Sequence, residues 1–176
     1  MRWTIAFIML LITYGSTAQR SIPDDWTAYR KYGRTLSYPD SLQLNDTIGN
    51  GVEFMLLWPR TAPKDIFQEN INLLIQDYTN QKGKLDLATY VDVSVKQIET
   101  MLTDGAVLEN EEAAINGRTY RRLVYSGTQG IYHFKWLQYC IVVKRKAYLL
   151  TFTCEADYFE EMVPQADAIM QTFHFR

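Results

Sequence analysis

The sequence is poor in the residue types that most often carry out catalysis or bind metals. Its 176 residues include two cysteines, Cys140 and Cys154, and two histidines, His133 and His174. The cysteines have no CxxC or CxH spacing, so a metal site is not predicted. The nine glycines are scattered or lie in turns, not in a phosphate-binding loop. We therefore expect a protein that is not an enzyme and has no cofactor, metal or catalytic residues.

Long runs of one charge sign are also lacking. The 18 lysines and arginines and the 20 aspartates and glutamates are interspersed, and the formal net charge is −2. Because nucleic acid is recognised by clustered basic residues, it is not a predicted partner. The densest basic stretch, residues 144–146, lies between two apolar runs and is interpreted as a solvated turn.

Apolar runs are too short to span a bilayer, which takes about 20 residues. The run from Ile5 to Ile12 follows Arg2 and precedes small residues up to Ala18, which is the layout of a secretory signal peptide. We predict a signal peptide at residues 1–18, cleaved after Ala18, and a single domain at 19–176. The mature protein is expected to be periplasmic or secreted. Lipid attachment is not expected, because no cysteine lies at the cleavage point.

The first half of the chain is predicted to contain β-strands, because short apolar runs end at prolines and polar turn residues. The candidate strands are residues 36–47 (interrupted at Pro39), 51–59 and 69–79. From Asp86 to Asp104 the apolar residues recur at steps of three and four, which predicts an amphipathic helix. Asp86 is the expected N-cap and Gly105 the expected stop.

The C-terminal region is predicted to form a second helix. Asp157, with Glu160 three residues later, has the spacing of a capping box. We expect a short first turn and then the main helix over 163–171, with Pro164 in its first turn, where proline is tolerated. A short closing strand with Phe173 and Phe175 should follow.

Asn116-Gly117 is a strong hairpin signal, because a type I′ turn requires positive φ at both central residues. The register that this turn fixes places Glu111 opposite Arg122 and Glu112 opposite Arg121. The two pairs lie on opposite faces, and both are favourable cross-strand charge pairs. These arginines are therefore interpreted as sheet partners and not as an anion site.

The stretch YHFKWLQYC, residues 132–140, is interpreted as part of a long central strand. It should pair with the segment 147–155 across a turn at Arg145-Lys146, with Val143 facing Tyr148. One face of the pair is then apolar and the other mixed, and both should be at least partly buried in a layered domain.

This register places Cys140 and Cys154 on opposite faces, which excludes a disulfide and favours two buried free thiols. A three-residue turn would instead place Cys140 and Cys154 on the same face of the sheet. Since an exported protein with two cysteines also raises the prior probability of a bridge, both alternatives remain open at this point.

Candidate binding residues are aromatic or lie near the start of the central strand. Trp26, Trp58 and Trp136 could contribute to a ligand-binding or partner-binding surface, although packing that ties the N-terminal segment to the core is the preferred explanation for them. His133 is expected at the rim of the sheet, where it could line a cleft. The candidate surface therefore consists of Trp26, Trp58, His133 and Trp136.

Several segments together resemble the PsbP-like superfamily over residues 36–175. They are FQENINLLIQDY, LATYVDVSVKQIETML, the ING turn followed by RRLVYSG, QYCIVVKRKAYLLTFTC and the closing TFHF. The resemblance is to the bacterial exported branch that includes DcrB. It implies an α+β fold, an α/β/α sandwich with a central antiparallel sheet flanked by helices, and it supplies no catalytic residue.

Two functional hypotheses follow. The first is an exported, non-catalytic accessory or binding protein of the cell envelope, monomeric rather than an obligate oligomer, which binds another envelope protein through a sheet edge or an aromatic surface. The alternative is a protein that binds a small ligand or a divalent metal, or a weak unrecognised hydrolase, with a cleft near His133.

Overall fold

The structure, a computed structural model, describes residues 22–60 and 67–176. The signal-peptide prediction at residues 1–18 lies outside the described residues. The elements in chain order are β1 (Trp26–Lys31), β2 (Arg34–Pro39), β3 (Gln43–Asn45), β4 (Val52–Leu57), β5 (Asn70–Asp77), α1 (Leu87–Met101), β6 (Thr103–Ile115), β7 (Arg118–Gln129), β8 (Tyr132–Val143), β9 (Lys146–Glu155), α2 (Phe159–Met170) and β10 (His174–Phe175).

The described strands form two antiparallel sheets. Seven of them make a large sheet in the order β3-β4-β5-β9-β8-β7-β6, and three make a small sheet in the order β1-β2-β10. The segment predicted as one interrupted strand, 36–47, divides at Pro39 between the two sheets, so β2 and β3 belong to different layers. The predicted α+β fold with a central antiparallel sheet is confirmed, and the separate small sheet was not predicted.

Side chains on the two faces of the large sheet pack into separate cores. Leu137, Leu150 and Phe152 on β8 and β9 pack with Ala166 and Ile169 of α2. The opposite face packs against α1 in two smaller clusters. Since β8 and β9 alternate their side chains between these cores, both faces of the central pair are buried, as predicted.

Helix α1 begins where the sequence predicts. The Asp86 carboxylate accepts a hydrogen bond from the Thr89 amide at 2.9 Å, which is N-cap geometry. The helix ends at Met101, and Gly105 already lies in β6. The prediction that Gly105 is the stop of this helix is therefore wrong. This position is glycine because an added Cβ would lie 2.1 Å from the Ile98 carbonyl oxygen.

The β6–β7 hairpin has the predicted turn and register. Asn116 and Gly117 have φ values of 48° and 74°. Ile115 pairs with Arg118, Glu111 with Arg122 and Glu112 with Arg121.

The β8–β9 hairpin differs from the prediction in the position of its turn. The two turn residues are Lys144 and Arg145, with φ values of 47° and 62°, and Val143 pairs with Lys146 instead of Tyr148. The Arg145 guanidinium donates hydrogen bonds to the carbonyls of Tyr78, Gln81 and Gly83. These bonds help to offset the strain of positive φ in two non-glycine residues.

The observed β8–β9 pairing is shifted by two residues from the predicted one, so every side chain stays on the predicted face of the sheet. Cys140 therefore pairs with Leu149 and Cys154 with Lys135, and the two thiols point to opposite faces of the sheet. Both cysteines are free and buried, as predicted.

Helix α2 begins earlier than predicted. It starts at Phe159, whose side chain is buried, and Pro164 lies inside it. Tyr158 occupies the N-cap without a side-chain cap bond, so the predicted cap at Asp157 is wrong. Burial of the Phe159 ring against Phe152 favours the early start. Ala166, Ile169 and Met170 pack inward, and β10 follows, as predicted.

Candidate binding surface at the edge of strand β6

Two of the predicted surface tryptophans belong to the core on the α2 side. Trp58 lies against Phe152 with ring centroids 5.4 Å apart, and its Nε1 donates to Gln165 Oε1 of α2 at 3.0 Å. Trp26, opposite Pro39 in the small sheet, packs half-buried against the same core. Both side chains thus tie neighbouring segments to the α2 core.

The other two predicted residues lie on β8 but on opposite faces. Trp136 is buried on the α1 face, where its ring stacks on Tyr125 at 4.9 Å. His133 alternates with Lys135 on the α2 face, is exposed, and its Nδ1 lies 3.2 Å from Thr128 Oγ1. The large sheet therefore separates Trp136 from the other three candidates, and the four side chains do not form one surface.

A cleft of about 390 Å³, with polar and apolar lining residues, is formed by residues other than His133. It lies between the end of β1 and the start of β4, and its charged side chains are already paired. Lys31 Nζ lies 2.9 Å from Asp46 Oδ2, and Glu53 accepts a bidentate interaction from Arg34. Since each of these charges is neutralised by a protein neighbour, the cleft has the character of a structural junction between the sheets.

The two thiols have no feature that would make them nucleophiles. Burial raises the pKa of Cys140 to about 12, and burial together with the Glu69 and Glu155 carboxylates raises the pKa of Cys154 to about 12. A thiol with such a raised pKa is protonated at neutral pH and is a poor nucleophile. Across residues 22–60 and 67–176, no three His, Cys, Asp or Glu side chains converge as a metal site.

The large sheet ends in two very different edge strands. At one end is β3, with three residues, and at the other is β6, with 13. No described strand pairs with the outer side of either one. Long edge strands present unpaired backbone donors and acceptors that can accept a further strand. The β6 edge is therefore the more capable of these two surfaces for protein binding.

Only part of β6 is regular. The register with β7 is interrupted between Thr103 and Ala106 and again between Val107 and Glu109, and such bulges hinder the addition of another strand. From Glu109 to Ile115 each residue pairs in unbroken register with β7. We call this segment, 109–115, the β6 edge.

The register determines which backbone groups of the β6 edge face outward. Ile115 and Arg118 flank a two-residue turn and so form a hydrogen-bonded pair, and hydrogen-bonded and non-hydrogen-bonded pairs alternate from there. The N–H and C=O groups of Asn110, Glu112 and Ala114 therefore point away from β7. They offer a row of three donors and three acceptors to an incoming strand.

Carboxylates line both faces of this row. Glu109 and Glu111 share Arg122 of β7, with 3.2 Å between Arg122 Nη1 and Glu111 Oε1. Glu112 is exposed and lies opposite Arg121, but within the described chain it has no ion-pair partner closer than 4 Å. The predicted charge pair between Glu112 and Arg121 is thus present in register but is not formed as an ion pair.

The hairpin that carries the β6 edge is held to the body of the protein. Asn116 Nδ2 donates to the Phe173 carbonyl at 2.9 Å and lies 3.4 Å from that of Gln171. Ile115 and Tyr120, on either side of the turn, are buried in the α2 core. These anchors fix the strand in an extended conformation and so reduce the ordering cost of binding.

The sequence of the β6 edge indicates a sheet edge, although the prediction from its glutamates concerned only charge pairs within the hairpin. The residues ENEE, 109–112, are polar at every position, whereas a strand covered on one face alternates apolar and polar residues. Leu108 to Glu112 are all exposed. A strand that is polar on both faces is typical of a sheet edge.

Comparisons with known proteins give matches in structure. No protein-family model matches the chain, and no curated protein matches its sequence. Cyanobacterial PsbP from Synechocystis is similar over 93% of this chain and 99% of its own, with a TM-score of 0.63 and 17% identity. LpqN, involved in cell envelope biogenesis of Mycobacterium tuberculosis, is similar over 84% of this chain and 88% of its own, with a TM-score of 0.63 and 14% identity.

A third similar structure is PA94, a protein of unknown function from Pseudomonas aeruginosa. It covers 86% of this chain and 97% of its own, with a TM-score of 0.60 and 18% identity. In the described part of the chain, neither helix has the length and apolar character needed to cross a bilayer. The similarities confirm the resemblance recognised in the sequence at the level of architecture: the chain has the PsbP-like α+β fold.

Proposed function

We propose that this protein is an exported, non-catalytic binding protein of the cell envelope, and that it binds another envelope protein through the β6 edge. The observation that carries the proposal is an unbroken, exposed and anchored edge segment with a row of outward backbone groups at Asn110, Glu112 and Ala114. The similarity to LpqN, which is involved in cell envelope biogenesis, supports a role connected with the envelope. The signal-peptide pattern at residues 1–18 supports export.

The role of the β6 edge in binding is tested with Ala114→Pro, which removes one outward backbone N–H donor and leaves the charge of the protein unchanged. In Ala114→Pro the lost N–H is one that faces away from β7, so the hairpin ladder stays intact. Ala114→Val keeps the N–H and serves as the matched control. Circular dichroism and thermal unfolding establish that both variants fold.

Each form is expressed in the native host and purified from the envelope fraction under gentle conditions, and native mass spectrometry identifies bound proteins. We expect the wild-type protein and Ala114→Val to retain the same partner and Ala114→Pro to lose it. A partner retained equally by all three forms would show that the β6 edge is not the binding surface.

Export is tested on the same cells. N-terminal sequencing of the mature protein should begin at Gln19, and fractionation should place the protein outside the cytoplasm. An intact N-terminus that begins at Met1 or Arg2, in a cytoplasmic protein, would overturn the envelope assignment.

A further inference from the structure

The chemistry of the β6 edge defines the kind of segment that fits it, an inference that rests on the proposed function. An added strand places one residue directly opposite each residue of the β6 edge, with side chains alternating between the two faces. On the α2 side, its side chains would lie beside Glu109, Glu111 and Ala113. On the α1 side, they would lie beside Asn110, Glu112 and Ala114.

The carboxylates lie on the outermost strand, and their counter-charges lie one strand further in. Arg122 is about one-fifth exposed, whereas Glu109 and Glu111 are 51% and 62% exposed. Arg121 is partly buried, with an Nε atom that has no hydrogen-bond partner, and it forms no ion pair with Glu112 in the described structure. An approaching strand therefore meets three carboxylates before it meets either arginine.

Pairing with a second copy of this chain is disfavoured in the registers with the longest overlap of ENEE. The central antiparallel registers of β6 with itself place Glu112 opposite Glu112, Glu111 opposite Glu111, or Glu109 opposite Glu111. Like charges directly opposite each other across a strand pair are destabilising. The same carboxylates that disfavour self-pairing in these registers favour a partner strand of the opposite charge.

We infer that the occupant of the β6 edge is an extended protein segment with lysine or arginine at three of four consecutive positions, which pair with Glu109, Glu111 and Glu112. Backbone hydrogen bonds to Asn110, Glu112 and Ala114 supply the docking, and the three charge pairs select the sequence.

The inference is tested with capped synthetic peptides and the folded protein. The basic probe is TVKKVKVT, and the charge-reversed probe is TVEEVEVT. Binding is followed by isothermal titration calorimetry and by amide NMR shifts at low and high salt. The protein forms are wild type, Ala114→Pro, Ala114→Val and the double variant Glu111→Lys/Glu112→Lys.

We expect the basic peptide to bind the wild-type protein and Ala114→Val, with shifts centred on 109–115 and an affinity that falls as salt is raised. Ala114→Pro should weaken this binding severalfold, because it removes one outward backbone donor and places a proline ring where the partner strand pairs. The double lysine variant should bind the basic peptide at least about tenfold more weakly, since two favourable cross-strand pairs become repulsive. It should bind the acidic peptide in its place.

Three results would overturn the inference. They are no binding of the basic peptide, an affinity for Ala114→Pro equal to that for the wild-type protein, and no exchange of preference in the double lysine variant. If the partner retained in cells depends on Ala114 while the basic peptide does not bind, the β6 edge is the binding surface and the charge assignment alone is wrong. If the cellular partner is indifferent to Ala114→Pro, the proposed function itself fails.

Discussion

Arg34 on β2 and Glu53 on β4 form a bidentate ion pair that joins the small sheet to the large one. Arg34 Nε donates to Glu53 Oε1 at 2.8 Å, and Nη2 donates to the second carboxylate oxygen. The two side chains are only 12% and 6% exposed. Arg34 also lies against the rings of Tyr32 and Tyr148. This pair is the charged part of the junction between the two layers.

Loss of Glu53 should be strongly destabilising. Glu53→Ala leaves the Arg34 guanidinium largely buried without a counter-charge, and we expect the free energy of unfolding to fall by about 3 kcal/mol. Urea denaturation measures the loss. The apolar double variant Arg34→Met/Glu53→Leu should recover most of it, because both desolvation costs are removed together. A loss of less than about 1 kcal/mol for Glu53→Ala would contradict burial of the pair.

Two glycines should respond differently to replacement by alanine. Gly117→Ala meets no neighbouring atom, so its cost comes from positive φ alone, about 1 kcal/mol. In Gly105→Ala the new Cβ would meet the Ile98 carbonyl at 2.1 Å, which forces the end of α1 away from β6 and should cost about 3 kcal/mol. Equilibrium unfolding of the two variants side by side tests the order. Equal costs would show that the contact between residue 105 and the Ile98 carbonyl relaxes at little energetic cost.

Pro164→Ala should stabilise the protein. Pro164 lies inside α2, is exposed, and cannot donate to the carbonyl of Glu160 one turn earlier. Alanine restores that hydrogen bond, which stabilises the folded state. Alanine also leaves the unfolded chain more conformational freedom than proline does, which offsets part of the gain. We expect the free energy of unfolding to rise by about 1 kcal/mol. The thermal midpoint should rise. An unchanged or lower midpoint would indicate that α2 packs correctly only with the proline bend.

The buried thiols should make stability fall at alkaline pH. Their pKa values are raised to about 12 in the folded protein, compared with about 8.5 for a free thiol. Above the unfolded value, the unfolded chain releases these protons while the folded chain keeps them. The free energy of unfolding therefore decreases as pH rises from about 9 to 12.

Urea midpoints measured between pH 7 and 11 check this dependence, and thiol modification offers a second measurement. At pH 8 a disulfide reagent should label Cys140 and Cys154 only as fast as the protein opens, and both at once after unfolding. Rapid labelling of either cysteine in the native protein would contradict its burial.

The order of the main elements could be predicted from the sequence because local chemistry determined them. Asn116-Gly117 specifies one turn type and hence the complete β6–β7 register. Asp86 and the apolar repeat after it specify α1. The parity of the β8–β9 hairpin was also correct, because a two-residue turn at either position keeps Cys140 and Cys154 on opposite faces.

The errors arose where tertiary contacts outweighed local preference. Lys144 and Arg145 are poor residues for positive φ, yet Arg145 gains three carbonyl partners in the loop after β5. Helix α2 starts at Phe159, before the main helix predicted from 163, because the Phe159 ring is buried in the core. The division of residues 36–47 between two sheets depends on β10, which lies far away in the sequence.

The candidate binding surface could be predicted only in part. A sheet edge was among the expected binding surfaces, but the residues named for the surface were aromatic or histidine. The structure places Trp58 and Trp136 in packing on opposite sides of the large sheet. Which strand lies at the edge depends on the order of all seven strands, and periodicity within one segment contains no information about that order.

Strand β10 pairs with β2 on the side away from β1, so His174 lies opposite Thr35. The Thr172 Oγ1 accepts a hydrogen bond from the Ser37 amide, 135 residues earlier in the chain. Contacts between such distant segments form late, because the intervening chain must first be ordered. At a synthesis rate of roughly 5–20 residues per second, the chain between β2 and β10 takes roughly 7–27 s to make. During that interval the apolar side of β2, with Leu36 and Tyr38, lacks the cover it has in the finished fold. The small sheet therefore stays incomplete until the C-terminal end of the chain is available.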